Sequence, residues 1–331
     1  MLQDKRDNNS EQIQLRGQVE PKSHIIAIGG GKGGVGKSFI SSSLAIFLAH
    51  MGYKTCAIDL DLGSANLHTS LGAGLPGKGI GDLITQPNIK LEDLKTATPF
   101  PNLSIISGAS DDLSMADIHQ NDRTKIMSSI YNMESDFIIL DLSAGTHQTT
   151  IDFFLMAQTK LVVMTPDPSS IENGYRFMKA AFHRRIKRFE FQLQLETLIH
   201  EIMSNKAKYS VRSPSDLIKA VSEIDPIKGD KLQGLMSLLN FQLVINQTRS
   251  YKEVELGSSV QSVCNKYFGV PCSVIGQIEH DNAVWQSQRK RRHLLIEYPY
   301  SRLYAQLMGM ARRVASLKAK PAKDSPIVKA N

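Results

Sequence analysis

The chain has 331 residues, of which 41% are hydrophobic and 21% are charged, and its formal net charge is +7. This composition is typical of a folded globular protein and argues against a disordered or fibrous chain. Its three cysteines form no Cys-x-x-Cys pair, which argues against a disulfide framework and a thiolate metal site. The polar start lacks the apolar core of a secretory signal, and no apolar run is long enough to span a bilayer. We therefore expect a cytoplasmic protein.

Seven short, nearly continuous apolar runs alternate with helical patterns along the chain. Such runs are typical of strands that are covered on both faces. Most gaps between them are long enough for a crossover helix. The alternation predicts a doubly wound α/β fold, with a mostly parallel sheet and helices on both faces. The predicted strands are 24–28, 55–59, 103–107, 137–141, 161–165, 241–246 and 273–278.

The two ends of the chain differ in composition from its middle. Residues 1–22 are rich in Asp, Asn, Gln and Lys, which predicts a flexible arm. By the same criterion, residues 318–331 are expected to form a disordered basic tail. A single folded domain is therefore predicted over residues 23–317.

One gap between predicted strands is much longer than the others. It separates Thr165 from Phe241 and begins with a long helical pattern. We interpret residues from about 190 to 240 as a helical insertion in the same domain. Breaks between its helices are predicted at Pro214, Pro226 and Gly229.

The strongest motif is GKGGVGKS, residues 31–38, which follows the first strand and begins a helix. It fits the P-loop pattern G-x-x-x-x-G-K-[ST] in its expected context. Glycines let successive backbone N–H groups curve around a phosphate, and the helix N-terminus adds partial positive charge. Lys37 is expected to reach the β- and γ-phosphates, and the Ser38 hydroxyl to bind Mg²⁺. The predicted contacts to ATP are Gly31, Lys32, Gly33, Gly34, Val35, Gly36, Lys37 and Ser38.

A second lysine in this loop carries a family resemblance. Lys32 follows the first glycine, and with it the loop resembles the deviant Walker A motif of the MinD/ParA ATPases. IDLDLGSANLHTSLG, residues 58–72, resembles switch I of that family. FIILDLSAG, residues 137–145, resembles its switch II.

The resemblance implies a role for each of these polar residues. Lys32 would act on the phosphates of a partner subunit, and Asp61 would polarise the attacking water. Asp59 and Asp141, at the ends of two strands, would lie at the Mg²⁺ together with Ser38. Catalysis is accordingly assigned to Lys32, Lys37 and Asp61.

Two downstream segments resemble the part of this family that recognises the base. In LVINQ, residues 243–247, Asn246 would hydrogen-bond adenine through its two-faced amide. In the loop after the last strand, Asp281 aligns with the family's Pro-x-Asp, while the proline is absent.

Within the family, residues 162–180 and the segment FGVPCSVIGQIEHDNAVW resemble the FlhG/FleN type, the regulators of flagellar number. This resemblance implies an ATP-dependent homodimer, slow hydrolysis, and control of the number or position of a cellular structure. It also implies activation by a flagellar GTPase-like partner. Residues 11–16, EQIQLR, loosely resemble the family's activating N-terminal motif but are one residue shorter.

Three other functions remain open from the sequence. A ParA-like partition ATPase would bind DNA nonspecifically, an iron–sulfur scaffold ATPase would need a Cys-x-x-Cys, and a nucleotide scaffold would bind without turnover. The presence of Lys37, Ser38, Asp61 and Asp141 together argues against the scaffold without turnover.

Positive charge is concentrated in two clusters, 176–188 and 289–292, on an otherwise acidic chain. They predict contact with an anionic surface, either DNA or an anionic membrane, although solvated helix faces explain them equally well. The protein would then be peripheral at the membrane, at a cell pole or at the nucleoid.

Apolar residues near the C-terminus predict one helix with one apolar face. Two interpretations are open, docking on the sheet and contact with a membrane, of which we favour docking. The residues are Leu303, Leu307, Met310, Val314 and Leu317.

Overall fold

An eight-stranded sheet forms the centre of the protein. The computed structural model describes residues 21–63, 65–74, 76–86, 88–108 and 118–318. The strand order is β3-β4-β2-β5-β1-β6-β7-β8, and all neighbours are parallel except β3 and β4. The strands are His24–Gly29 (β1), Thr55–Leu60 (β2), Thr96–Ala97 (β3), Leu103–Ile106 (β4), Phe137–Leu142 (β5), Thr159–Met164 (β6), Phe241–Thr248 (β7) and Cys272–Glu279 (β8).

Helices cover both faces of this sheet, which confirms the predicted doubly wound α/β fold. All seven predicted runs are strands. The eighth strand, β3, was not predicted because its two residues do not form an apolar run. The helices are Lys37–His50 (α1), Leu67–Leu71 (α2), Ile80–Thr85 (α3), Gln120–Asn132 (α4), Gln148–Met156 (α5), Pro168–Glu190 (α6), Glu196–Ser204 (α7), Pro214–Ile224 (α8), Pro226–Ser237 (α9), Tyr251–Phe268 (α10), Asn282–Arg289 (α11), Leu294–Glu297 (α12) and Leu303–Lys318 (α13), with a 3₁₀ turn at Leu91–Leu94.

The last helix, α13, packs on the same sheet face as α1. Four of its predicted apolar residues, Leu303, Leu307, Met310 and Val314, are fully buried against β8 and α1. The docked interpretation is therefore confirmed, and membrane contact through this face is wrong because the face is buried. Among the described residues, no helix is long and apolar enough to cross a bilayer.

The helical insertion contains α7, α8 and α9, which occupy the predicted region. Ile202, Val221 and Leu232 are buried in the same hydrophobic core as residues of α5 and α6, so the insertion packs directly against these helices. The breaks between its helices fall at Pro214 and Pro226, as predicted. Each proline is the first residue of a helix, and the residue before it, Ser213 or Asp225, is the N-cap. The break predicted at Gly229 is wrong.

Gly229 is a packing residue in the interior of α9. A Cβ there would lie 2.3 Å from the Ser222 Oγ, so its lack of a side chain lets α8 and α9 approach closely. The predicted arm and tail lie outside the described residues apart from Pro21, Lys22 and Lys318. Lys22 pairs with Glu134 at 2.6 Å.

Several arginines of the basic cluster 176–188 have partners inside the protein. Asp152 on α5 is buried and accepts hydrogen bonds from Arg184 Nε at 2.9 Å and Arg188 Nη2 at 2.6 Å. Arg123 Nη1 lies 3.3 Å from the same carboxylate. Arg185 Nη2 donates to the Leu235 carbonyl oxygen at 2.9 Å. Three arginines of the cluster therefore hold α6 to its neighbours rather than forming an open surface.

The Asp152 charge stabilises this junction. Burial alone would raise the pKa of Asp152, but the Arg184 hydrogen bond and the charges of Arg188 and Arg123 hold it below its usual range. We predict that Asp152→Asn, which keeps the size and removes the charge, lowers the free energy of unfolding by about 1.5–3 kcal/mol. Urea unfolding measures this, with Asp230→Ala on the exposed side of α9 as the control. An unchanged midpoint for Asp152→Asn would contradict this prediction.

Candidate nucleotide-binding site

The P-loop lies between β1 and α1, at the carboxyl end of the central strands, where open parallel sheets bind ligands. Two of its glycines are irreplaceable on geometric grounds. Gly36 has φ +91°, and a Cβ there would lie 2.2 Å from Asn246 Nδ2. A Cβ on Gly31 would lie 2.0 Å from the Asn173 carbonyl oxygen. The loop therefore packs directly against β7 and α6, and only glycine fits at these two contacts.

Lys37 is folded into this loop and is only 8% exposed. Its Nζ donates a hydrogen bond to the Lys32 carbonyl oxygen at 3.4 Å. Burial lowers the pKa of Lys37, and the nearby charges of Asp141 and Asp61 oppose that shift. A buried ammonium with one long hydrogen bond is suited to receive phosphate oxygens.

Asp59 and Asp141 are opposite each other on the adjacent strands β2 and β5. Asp59 accepts the backbone N–H groups of Asp61 at 3.1 Å and Leu67 at 2.9 Å, so it orders the chain after β2. Asp141 accepts a hydrogen bond from Ser41 Oγ at 2.8 Å. Burial first, and the charge of its neighbour next, raises the pKa of Asp59 to about 8. Burial raises the pKa of Asp141 to about 6.

These raised pKa values give a testable pH dependence. Unfolded aspartates ionise near ~3.9, so folding takes up protons at this pair, and its contribution to stability falls as the pH rises from about 4 to about 8. Buried His24 and His293 have lowered pKa values and act in the opposite direction. We therefore predict a difference: Asp59→Asn gains stability relative to wild type as the pH rises across this range. Thermal unfolding of both nucleotide-free proteins measures it, and parallel curves would contradict it.

The same residues fit a magnesium ion. The Ser38 hydroxyl and the Lys37 ammonium are both close enough to Asp141 to oppose the rise in its pKa, so one hydroxyl and one carboxylate lie near each other beside Lys37. Mg²⁺ is commonly held by one or two carboxylates together with phosphates and waters. Within the described ranges, no group of three or more His, Cys, Asp or Glu residues could hold a metal ion alone. Because Asp59 already accepts two N–H groups, Asp141 is the better placed of the two carboxylates.

Lys32 points away from the loop interior. Its Nζ donates to Ser169 Oγ at 2.8 Å and lies 3.5 Å from Asp167 Oδ1. Asp167 is the N-cap of α6 and accepts from the Ser170 N–H at 3.0 Å. Hydrogen bonds from Thr165 and Ser169 hold the pKa of Asp167 far below its usual range. Lys32 is thus held at the start of α6 and does not contact Lys37 through its side chain.

The two predicted base contacts occupy different positions. Asn246 at the end of β7 is buried and donates from Nδ2 to the Val35 carbonyl oxygen at 2.8 Å, so it fixes the P-loop. Asp281 caps α11 by accepting the Ala283 N–H at 2.9 Å. The structure therefore brings Asn246 to the loop and gives Asp281 a local role at a helix start.

Several residues of this site were missed by the sequence prediction. Ser41 binds Asp141 from one turn beyond Ser38, and a serine repeat inside a helix gives no sequence signal. Asp167 and Ser169 bind Lys32. Their signal was available, because Asp-Pro-Ser-Ser is a typical start of a helix.

Comparison with known proteins identifies a matching family model and several similar proteins. The CobQ/CobB/MinD/ParA nucleotide binding domain model matches residues 26–295. The antiactivator FleN of Pseudomonas aeruginosa is 31% identical over 157 residues, which are 47% of this chain and 55% of that protein. The flagellum site-determining protein YlxH of Helicobacter pylori is 35% identical over 162 residues, which are 47% of this chain and 52% of that protein. The chain thus spans about half the length of the curated relatives it matches.

Solved structures share the fold. The cell division ATPase MinD of Pyrococcus furiosus has a TM-score of 0.59 at 20% identity, covering 89% of this chain and 99% of that one. The septum site-determining protein MinD of Pyrococcus horikoshii, complexed with Mg-ADP, has a TM-score of 0.59 at 21% identity, covering 90% and 100%.

Proposed function

Because this chain belongs to the CobQ/CobB/MinD/ParA nucleotide-binding family, we propose that it is an ATPase switch. It binds ATP with Mg²⁺, forms a homodimer, hydrolyses ATP slowly to ADP and phosphate, and then returns to the monomer. The observation that carries this proposal is the convergence of Lys37, Asp61 and Asp141 at the edge of the sheet where the P-loop lies.

Each residue has a proposed task at this edge. Lys37 neutralises the β- and γ-phosphates, and the glycine-rich backbone donates N–H groups to them. Ser38 and Asp141 hold Mg²⁺, which offsets charge on the phosphates when it is bound. Asp61 is half-buried at the mouth of the site, where its carboxylate orients the attacking water. Asp59 holds the backbone that carries Asp61 in place.

Lys32 is proposed to act in the dimer. Its present contacts with Ser169 and Asp167 are surface contacts, with both charged side chains nearly half exposed. Exposed ion pairs typically contribute ~0–1 kcal/mol, so Lys32 can exchange these contacts for the phosphates of a partner subunit at low cost. There it would offset negative charge on the transferring group, as an arginine finger does.

Asn246 and Asp281 are proposed to flank the adenine. The Asn246 amide uses one N–H for Val35, which leaves its second N–H and its Oδ1 for the base. Asp281 begins the helix that follows β8, so a contact would come from the loop at the end of that strand.

The proposed cellular role is control of flagellar number or position. The support is similarity to FleN and YlxH over about half of their length. An activating partner of the flagellar GTPase type would recognise residues 11–16, which lie outside the described part of the chain. The second candidate is a ParA-like partition ATPase, and DNA binding that requires ATP would favour it.

An iron–sulfur scaffold is not supported by the placement of the cysteines. Cys56, Cys264 and Cys272 are all buried, two of them between α10 and β8. A cluster shared between protomers needs exposed thiolates in a close pair. In an anaerobic iron titration, we therefore expect no visible absorbance from an iron–sulfur cluster to develop.

For contact with an anionic surface we propose the cluster 289–292. Arg289 stacks on Trp285 with its guanidinium 4.9 Å from the ring centroid, and Trp285 is 59% exposed. The Arg291 carbonyl oxygen lies 3.7 Å from where a Cβ on Gly72, the last residue of the switch I segment, would lie. A membrane or DNA contact here would therefore lie beside the end of the switch I segment. Such binding places the protein at the membrane, a cell pole or the nucleoid.

The experiment combines phosphate release with light scattering in the presence of ATP and Mg²⁺. ATP-dependent doubling of mass, followed by a return to monomer as phosphate appears, is the expected result. Sedimentation with anionic vesicles and with duplex DNA, each at several salt concentrations, then distinguishes the two cellular roles. Binding to DNA should fall with a slope of about −0.9 per phosphate contact in log K against log salt.

A further inference from the structure

A cavity of about 80 Å³ lies on the insertion, away from the P-loop. It is open to solvent and is lined by α6, α7, the segment 205–213 that joins α7 to α8, the start of α8, and α10. That volume is several times the ~10–15 Å³ that one water needs. Its polar lining residues are Lys179, His183, Lys206, Arg212, Ser213 and Tyr267.

The charges around this cavity have one sign. Lys179 comes from α6, while Lys206 and Arg212 come from the segment between α7 and α8. None of the described residues that line the cavity is acidic. The nearest carboxylate in sequence, Asp216, is engaged by the Ser213 hydroxyl at 2.8 Å and by the Arg212 backbone N–H at 3.0 Å. Three cations from two separate segments therefore converge without an anion among them.

His183 reports how close these cations are. The pKa of its imidazole is lowered by burial first, and then by the charges of Lys179 and Lys206. Like charges that converge destabilise the folded chain by repulsion. An anion in the cavity would remove that repulsion.

The donors match one chemical group. Two ammonium groups, a planar guanidinium and a phenol hydroxyl can surround a tetrahedral oxyanion, with the arginine donating in bidentate fashion. The cavity has room for such a group. Met203 and Leu217 form apolar parts of the lining, which suits the carbon atom of an ester.

We propose that this cavity binds the phosphate group of a small phosphomonoester, or inorganic phosphate itself. The bound anion links α6 to the insertion. This site is separate from the proposed ATP site, which lies near the start of α6, where Asp167 and Ser169 contact Lys32. The insertion would therefore have a ligand of its own. The proposal does not depend on ATP hydrolysis.

The test follows the imidazole resonances of His183 during titration with inorganic phosphate. His200 on α7 does not line the cavity and serves as the internal reference. We expect a saturable shift at His183 and a rise in its pKa, with no change at His200. Because the readout is local to His183, phosphate bound at the P-loop does not imitate it.

Matched variants make the test specific. Lys206→Gln and Arg212→Gln should each weaken phosphate binding at His183 at least tenfold. Lys208→Gln should not, because Lys208 lies two residues away and faces Glu201 and Tyr209. All three residues are exposed, so thermal unfolding should be nearly unchanged.

Parallel titrations with glycerol phosphate and with a duplex oligonucleotide distinguish the sources of the phosphate. Equal or tighter binding of glycerol phosphate supports a small ester. No shift at His183 with either phosphate, or equal weakening by Lys208→Gln, would overturn the proposal. A shift with the oligonucleotide alone would also overturn it and would make the cavity part of a DNA-binding surface.

Discussion

Lys37→Ala should lose ATP binding by roughly 30-fold to several thousand-fold, which corresponds to about 2–5 kcal/mol for leaving a desolvated charge without its partner. The physical reason is the position of the ammonium group. Lys37 is buried under its own loop, where burial has already lowered its pKa and the phosphates would be its main counter-charge. Alanine removes the ammonium group between the phosphate oxygens and the carboxylates of Asp61 and Asp141, so less positive charge offsets their mutual repulsion. Calorimetric titration with Mg-ATP measures the loss.

The control is Lys54→Ala, an exposed lysine at the amino end of β2, on the far side of the sheet. It should bind ATP as wild type does. Thermal unfolding of the nucleotide-free proteins shows whether Lys37→Ala is still folded, and removing a buried ammonium is not expected to destabilise it. Wild-type ATP affinity in folded Lys37→Ala would contradict the assignment of the P-loop.

Asp61→Ala should reduce phosphate release by about 10²–10⁴-fold, the usual contribution of a group that positions or deprotonates a nucleophile. Every phosphate donor remains in place, because Asp61 makes none of the contacts that shape the P-loop. Its backbone N–H still donates to Asp59, so the chain after β2 keeps its path. We therefore expect a protein that binds ATP normally and accumulates as the ATP-bound dimer.

Single-turnover phosphate release measures this effect. Asp230→Ala, an exposed aspartate on α9, is the control for loss of one negative charge. Asp61→Asn separates charge from hydrogen bonding, because the amide can hold a water but cannot accept its proton. Release at the wild-type rate by Asp61→Ala would exclude Asp61 from the reaction.

The sheet and the P-loop were predictable because their signals are local. Buried parallel strands need continuous apolar runs, and a phosphate loop needs glycines at fixed spacing before a lysine. Parallel strands share one carboxyl edge, so Asp59 and Asp141 were expected at the same edge of the sheet. Their direct pairing on the adjacent strands β2 and β5 depends on the order of strands in the sheet, which differs from their order in the chain. Gly36 followed from the same motif, although the reason that it must be glycine, the Asn246 amide, lies more than two hundred residues away.

The partners of the charged residues were not predictable, because burial and pairing depend on the tertiary structure. The cluster 176–188 looks uniform in sequence, yet Arg184 and Arg188 turn inward to Asp152. Lys179, from the same helix, turns to the cavity on the insertion. Similarly, Gly229 looks like a helix break but serves as a close contact. The sequence of a segment gives its net charge and its glycine content. The direction of each side chain depends on which face of the helix packs against its neighbours, and the segment alone does not determine that.

In the proposed mechanism, ATP assembles a dimer in which Lys32 of one protomer contacts the nucleotide of its partner. Light scattering of Lys32→Ala with saturating Mg-ATP tests it most directly, with ATP binding checked by calorimetry on the same sample. We expect wild type to double in mass, whereas Lys32→Ala binds ATP and remains a monomer. If Lys32→Ala doubles in mass at the same ATP concentration as wild type, Lys32 is not needed for the dimer and this mechanism is wrong.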